Sequence, residues 1–294
     1  MKKVSIAHLN VEMEYIDNGF FEYILRDYEN NRFREPDMIL KTKLVEEINK
    51  PRGELVEQIG DARIISLGGR RRCRYLTDSR SGAIVYATYY DENYKQVEIQ
   101  FSKKNPLQPG SITEYEYLYT GFAFSDRLAE LGGAVLHGAA VAYKNQGIIF
   151  SANSGTGKST HAKLWKDRFG SQLTIVNDDK PALRIYNGVP FIFGTPWSGK
   201  TNLNANVQVP LKAVVFIRRK ETNWMERLNI RDSIFNLMSQ ISRPYYDEAI
   251  GLKTMTMIEQ LVNSVPAYLL HCNTDPAAVV TVFYQLVQEG VIMP

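Results

Sequence analysis

The chain has 294 residues, enough for one large domain or two ordinary ones, and its 44% apolar and 23% charged residues exclude a disordered or fibrous protein. Its formal charge of +3 is small for this size and gives no reason to expect a nucleic-acid or membrane partner. The two cysteines, Cys73 and Cys272, lie far apart in neither metal-ligand nor redox spacing, which excludes a disulfide scaffold.

The basic start at Met1-Lys-Lys is interrupted by Asn10, Glu12 and Glu14 before the apolar core of a signal peptide can form. No apolar run approaches the roughly 18 residues of a spanning helix, so a cytoplasmic protein is expected. Up to about residue 110 the pattern is of short strands, including Ala62–Leu67, Ala83–Tyr90 and Gln96–Phe101, separated by turn residues such as Asp91-Glu-Asn93. It predicts a β-rich region built as an antiparallel meander. The basic cluster Arg70–Arg74, with Cys73 inside it, follows Gly68-Gly69 and reads as a solvated hairpin end, with an anionic partner as the alternative.

Pro106, Pro109 and Gly110 mark the expected boundary between a region 1–110, a candidate for substrate recognition, and a second domain, 111–294. Beyond it, Ser111 or Thr113 caps a helix with apolar positions at Ile112, Tyr115, Tyr119 and Phe122, which Gly132-Gly133 stops. Strands are predicted over Ala134–Tyr143, Gly147–Phe150, Leu173–Val176, Ala182–Tyr186, Phe191–Phe193, Ala213–Ile217 and Ala267–Cys272. Helices are predicted over His161–Phe169, Ile230–Ile241, Met255–Val262 and Asp275–Gln288. The Asn187-Gly188 hairpin turn close to the middle of this order argues against a purely parallel sheet and for a mixed, antiparallel-rich one.

The stretch Ser151-Ala-Asn-Ser-Gly-Thr-Gly-Lys-Ser-Thr160 sits between a predicted strand and a predicted helix. In G-x-x-x-x-G-K-[ST], small residues let backbone N–H groups curl around phosphate oxygens, the Lys spans the outer phosphates and the hydroxyl binds Mg²⁺. Gly155, Gly157, Lys158 and Ser159 fit; Ala152 replaces the first Gly, which is tolerable only at a negative φ. The helix N-terminus that follows would present its N–H groups to the anion.

Downstream, Val176-Asn-Asp-Asp-Lys180 sets two carboxylates at a strand end, one able to complete a Mg²⁺ shell with Ser159 and one able to accept a proton from an attacking hydroxyl. His137 lies in an apolar strand and can orient a group or share a proton. A second loop, Gly194-Thr-Pro-Trp-Ser-Gly-Lys-Thr201, reads as a cap with Ser198, Lys200 and Thr201 as contacts and Trp197 as packing. Arg218, Arg219 and Arg243 are candidates to neutralise transferred charge.

The order His137-Gly138, then Ser154-Gly-Thr-Gly-Lys-Ser159 after a hairpin, then Asn177-Asp-Asp179, resembles the catalytic domain of HPr kinase/phosphorylase, of the phosphoenolpyruvate carboxykinase fold group. It is also similar to the HPr-kinase-like serine kinases of modified-peptide gene clusters, over roughly residues 130–220. The resemblance implies an α/β fold with a P-loop kinase core on a mixed sheet. It implies that Lys158 and the loop (Ser154, Gly155, Thr156, Gly157, Ser159, Thr160) bind ATP, with Mg²⁺ on Ser159 and near Asp179; Lys200 and Arg219, read from the residues themselves, are further candidate ATP contacts. Asp178 would be the general base, with His137 beside it.

Three positions depart from that pattern: Thr160 stands where an acidic residue follows the cradle serine, Ala152 replaces Gly, and Lys200 stands where relatives often have Glu. Phosphorylase activity is therefore not expected. HPr is not the expected substrate either, because the N-terminal region does not match the regulatory domain of those enzymes. The reading is an Mg²⁺- and ATP-dependent kinase acting on a hydroxyl, of a serine in a peptide or of a small metabolite, in a chain able to form a homo-oligomer. The alternatives are a nucleotide-binding regulatory or assembly protein without turnover and a carboxykinase-type lyase.

Overall fold

The computed structural model describes residues 1–242 and 247–294, without the side chain of Lys200. The chain divides into two compact units, Met1–Glu130 with Pro244–Asp247, and Leu131–Arg243 with Glu248–Pro294.

The first unit carries β1 (Lys2–Ile6), β2 (Leu9–Glu14), α1 (Asn18–Leu25), β3 (Met38–Val45), β4 (Glu54–Ile59), β5 (Ala62–Ser66), β6 (Arg71–Thr77), β7 (Ile84–Asp91), β8 (Gln96–Ser102) and α2 (Ile112–Glu130). Its sheet has the order β1-β2-β3-β8-β7-β6-β5-β4. The run from β4 to β8 is the antiparallel meander that the strand spacing predicts. The pairings of β2 with β3 and of β3 with β8 are parallel, which makes the sheet mixed. Arg70–Arg74 falls at the β5–β6 hairpin end, where Arg70 meets Glu92 at 3.2 Å and Arg72 meets Asp247 at 3.7 Å.

Helix α2 groups with this unit, so the unit extends to Glu130, past the boundary read at Pro106–Gly110. The buried Glu116 carboxylate accepts the backbone N–H groups of Ile16 (2.6 Å) and Asp17 (3.0 Å) and the hydroxyl of Thr42. Arg127, near the other end of α2, donates to the carbonyls of Asp37 (2.9 Å) and Asn93 (2.8 Å). Among the described residues these buried polar groups bond strand and loop residues of the first unit, so separating the helix would strand them.

The second unit carries β9 (Ala134–Leu136), β10 (Gly138–Tyr143), β11 (Gln146–Ser151), α3 (Lys158–Phe169), β12 (Leu173–Asn177), β13 (Ala182–Tyr186), β14 (Val189–Phe193), β15 (Gln208–Arg219), β16 (Trp224–Arg227), α4 (Ile230–Gln240), β17 (Ile241–Ser242), α5 (Glu248–Ser264), β18 (Ala267–Cys272) and α6 (Ala277–Gln288). Here too the sheet is mixed: β11 runs parallel to β15 and β15 to β18, while β10 pairs antiparallel with both β11 and β12.

Alternation explains the layers. Val141, Ile148, Phe150 and Val215 face one side with Trp165 of α3 and Val282 of α6, whereas Ala140, Ile149, Val214 and Phe216 face the other with Leu237 of α4 and Ile258 of α5. Strands covered on both faces read as continuous apolar runs, the pattern seen in Gly147–Phe150 and Ala213–Ile217. The result is a helix–sheet–helix sandwich whose parallel strands β11, β15 and β18 end on the side where the loop 152–157 lies.

Candidate active site

Strand β11 feeds the loop and α3 leaves it. Gly155 (φ 75°) and Gly157 (φ 119°) take backbone conformations that an L side chain rarely adopts, and Gly157 is the residue from which α3 starts. The helix begins at Lys158, three residues before the predicted start at His161, so its first N–H groups open onto the loop. Ala152 is absent from the positive-φ positions and is buried in the core, which explains why this loop needs no glycine there.

The Lys158 side chain turns inward: it is only 6% exposed, and its ammonium donates to the carbonyls of Ala152 (3.0 Å) and Asn153 (3.4 Å). Burial pushes its pKa below the ordinary lysine value, against the pull of Asp179 and Asp178. From outside, Arg219 donates to the carbonyl of Thr156 (3.0 Å) and to that of Gly155, fastening the loop to the end of β15.

The acid pair follows β12. Asn177, buried, accepts the backbone N–H groups of Asp179 (2.9 Å) and Lys180 (2.6 Å) and donates to the Thr195 carbonyl (2.8 Å). That turn sends the two carboxylates different ways. Asp178, 5% exposed, is hydrogen-bonded by the hydroxyls of Thr201 and Ser159. Burial raises its pKa, and the charge of Asp179 adds to the rise, over the opposing effect of those hydroxyls and Lys158.

Asp179 lies 3.4 Å from Nε2 of His137 and 3.2 Å from the Lys180 ammonium. Burial alone would raise its carboxyl, but the His137 hydrogen bond and the charges of Lys180 and His137 outweigh it, leaving the pKa below the usual value. His137 therefore meets Asp179, where the sequence reading sets it beside Asp178.

The loop 194–201 closes on the pair: Thr201 bonds Asp178, and Gly199 packs on Asp179. Ser198 is buried and accepts from Asn204 at 2.9 Å instead of facing the pair, and Trp197, 2% exposed, packs. Ser154 lies exposed at the loop tip. The side chain of Lys200, and Arg243, lie outside the described residues.

Sequence reasoning gave no role to Asn177, although it is quoted with the pair, and missed Gln240 altogether. Gln240 Oε1 is 3.3 Å from His137 Nδ1, and its Nε2 donates to Asn153 Oδ1 at 3.0 Å, joining the histidine to the loop. The link is made by β17 pairing with β9, a contact across more than a hundred residues with no local signal.

Two cavities flank the loop. One, about 920 Å³, opens along Thr156, Gly157, Thr160 and Leu164 against Ile217 and Asn273. The other, about 430 Å³, lies between Ala152-Asn153, Arg218 and the C-terminal turn of α4 with Asn236, Ser239 and Gln240. Thr156 and Arg219 line both. Among the described residues no three His, Cys, Asp or Glu side chains gather as a metal cage. A hydroxyl and one carboxylate, as at Ser159 and Asp178, form a donor set suited to Mg²⁺ shared with phosphate oxygens.

No protein-family model matches the sequence, and no curated protein matches it. Among solved structures the chain is similar to the HPr(Ser) kinase/phosphatase from Coxiella burnetii, at 13% identity and a TM-score of 0.31, over 53% of this chain and 98% of that one.

Proposed function

We propose that this chain is an Mg²⁺- and ATP-dependent kinase that transfers the γ-phosphoryl group to a hydroxyl. The observation that carries this reading is the contact of Asp178 with the hydroxyl of Ser159, in the first turn of α3 where the loop ends, together with the pairing of its neighbour Asp179 with His137. It supports a phosphate cradle and an acid pair working on one substrate.

In this reading the loop N–H groups and Lys158 hold the outer phosphates, the Lys158 ammonium exchanging its carbonyl contacts for phosphate oxygens. The larger cavity, beside Thr160 at the start of α3, takes the nucleoside. Ser159 and Asp178 hold Mg²⁺, which neutralises phosphate charge when bound. Asp179, ionised and backed by His137, accepts the proton of the acceptor hydroxyl. The roles of the two aspartates are reversed from those the family resemblance implies, because Ser159 bonds Asp178 and His137 bonds Asp179. Arg219 and the loop 194–201 hold the geometry, and Lys200 remains a proposed phosphate contact.

The test is titration of the full chain with ATP and Mg²⁺ beside transfer of label from γ-labelled ATP. Saturable binding with transfer or slow hydrolysis upholds the kinase; binding with neither leaves a nucleotide-binding regulatory protein; no binding removes the reading.

A further inference from the structure

In the kinase reading the smaller cavity is left free by the nucleoside and the metal. Its walls bring Asn153 of the loop together with Arg218 at the end of β15 and Asn236, Ser239 and Gln240 of α4. Among the described residues two guanidinium groups line it, from Arg218 and Arg219, and no carboxylate does. Arg219 is committed to the loop carbonyls, whereas the Arg218 side chain has no hydrogen-bond or ion-pair partner among the described residues. A cavity with donors, a guanidinium and no acid favours an anion.

Its position gives the second constraint. Thr160 and the nucleoside cavity lie on the α3 side of the loop, and Ala152-Asn153 form the opposite side, so a triphosphate along the loop has one cavity at each end. From the smaller cavity, Gln240 reaches His137 at 3.3 Å, and His137 reaches Asp179 at 3.4 Å. An acceptor held at Arg218 must therefore extend past Asn153 and Gln240 to bring its hydroxyl to Asp179, the carboxylate that would take its proton. At about 430 Å³ the space is near the lower end of small-ligand sites, which run from roughly 300 to 1,000 Å³.

We infer that this cavity binds the phosphate acceptor, and that the acceptor is a small hydroxyl-bearing oxyanion, a carboxylate or a phosphate, gripped by Arg218. The inference rests on the kinase reading above. In the step, the acceptor oxygen bonds the γ-phosphorus and its proton passes to Asp179. The bond from that phosphorus to the β–γ bridging oxygen breaks, its electron pair staying on the oxygen, and ADP leaves.

The experiment uses three probes on one skeleton: D-glycerate, glycerol 1-phosphate and uncharged glycerol. Equilibrium dialysis of each labelled probe is run against the full chain with Mg²⁺ and a non-hydrolysable ATP analogue, for the wild type, Arg218→Ala and Arg218→Lys. One or both anions should bind saturably, about ten-fold or more weaker in Arg218→Ala and partly regained in Arg218→Lys, with glycerol not retained. Which anion binds tells carboxylate from phosphate. Affinity for the ATP analogue reports that the variants are folded.

Absence of saturable binding by both anions, equal retention of glycerol, or an Arg218→Ala protein that binds like the wild type overturns the inference. A second arm offers γ-labelled ATP with each anion and with a serine peptide blocked at both ends. Transfer to the anion upholds the inference, and transfer to the blocked peptide alone overturns it while leaving the kinase standing. Anion binding that depends on Arg218, without transfer or hydrolysis, upholds the pocket and removes the kinase reading instead.

Discussion

The carboxylate of Asp179 lies 3.4 Å from Nε2 of His137, while its neighbour Asp178 turns to the hydroxyls of Ser159 and Thr201. Two adjacent acids thus have different partners, and their isosteric variants should separate. Asp179→Asn is expected to lower kcat by ~10²–10⁴-fold with ATP affinity near wild type, because only the proton acceptor is lost. Asp178→Asn should instead raise the Mg²⁺ concentration needed for half-maximal rate. Mg²⁺ titrations of both variants decide it: an Asp179→Asn protein with wild-type kcat takes that residue out of the base role.

Lys158 makes a different prediction, because its ammonium already sits among loop carbonyls at 3.0 and 3.4 Å. Lys158→Ala removes a buried charge that attracts the acid pair, but Asp178 keeps its hydroxyl partners and Asp179 keeps His137 and Lys180, so the fold should persist. ATP affinity should fall about ten-fold or more and kcat by ~10²–10³-fold. Calorimetric titration and turnover, measured together, check both. Unchanged affinity would mean that the phosphates do not lie along this loop.

The loop was legible in the sequence because its chemistry is local: the glycines, Lys158 and Ser159 occupy one stretch, and the apolar runs beside it are strands buried on both faces. The division of labour between Asp178 and Asp179 was not, because successive residues of a turn point apart and only Asn177's two accepted N–H groups fix which way. Gln240 was invisible for another reason. It reaches His137 and Asn153 only through the pairing of β17 with β9, a long-range choice of topology that no window of sequence contains. The parallel pairings of β3 were hidden in the same way, and α2 gave no sign that Glu116 and Arg127 bind it to the first unit.

Gly199 offers a test of how the loop 194–201 bears on the acid pair. Its φ is 71°, and a Cβ built there would come within 3.1 Å of Asp179 Cβ. Gly199→Ala should destabilise the fold by about 1–2 kcal/mol through the left-handed backbone alone. Because the added methyl also presses on Asp179, kcat should fall while ATP affinity holds. Denaturant melts and steady-state kinetics on one preparation measure both, and wild-type values in the two would show that the loop can yield at this point.

His161 predicts the pH dependence of stability. It is 3% exposed, packed against Phe150 and accepting the Trp165 indole N–H at 3.1 Å, and burial pushes its pKa from 6.5 down to about 3. The unfolded chain therefore binds a proton that the folded chain refuses between those two values. The stability linked to this group is complete above about pH 6.5 and is lost progressively as the pH falls towards 3. At pH 5, about 1.5 units below the unfolded value, the loss attributable to His161 is about 2 kcal/mol. His161→Gln keeps an acceptor for the indole but cannot be protonated. Its difference from wild type in unfolding free energy should therefore shift in its favour by about that amount between pH 7.5 and pH 5. Urea melts of both proteins at the two pH values measure the shift; parallel losses in the two proteins would mean that His161 already takes up its proton in the folded state.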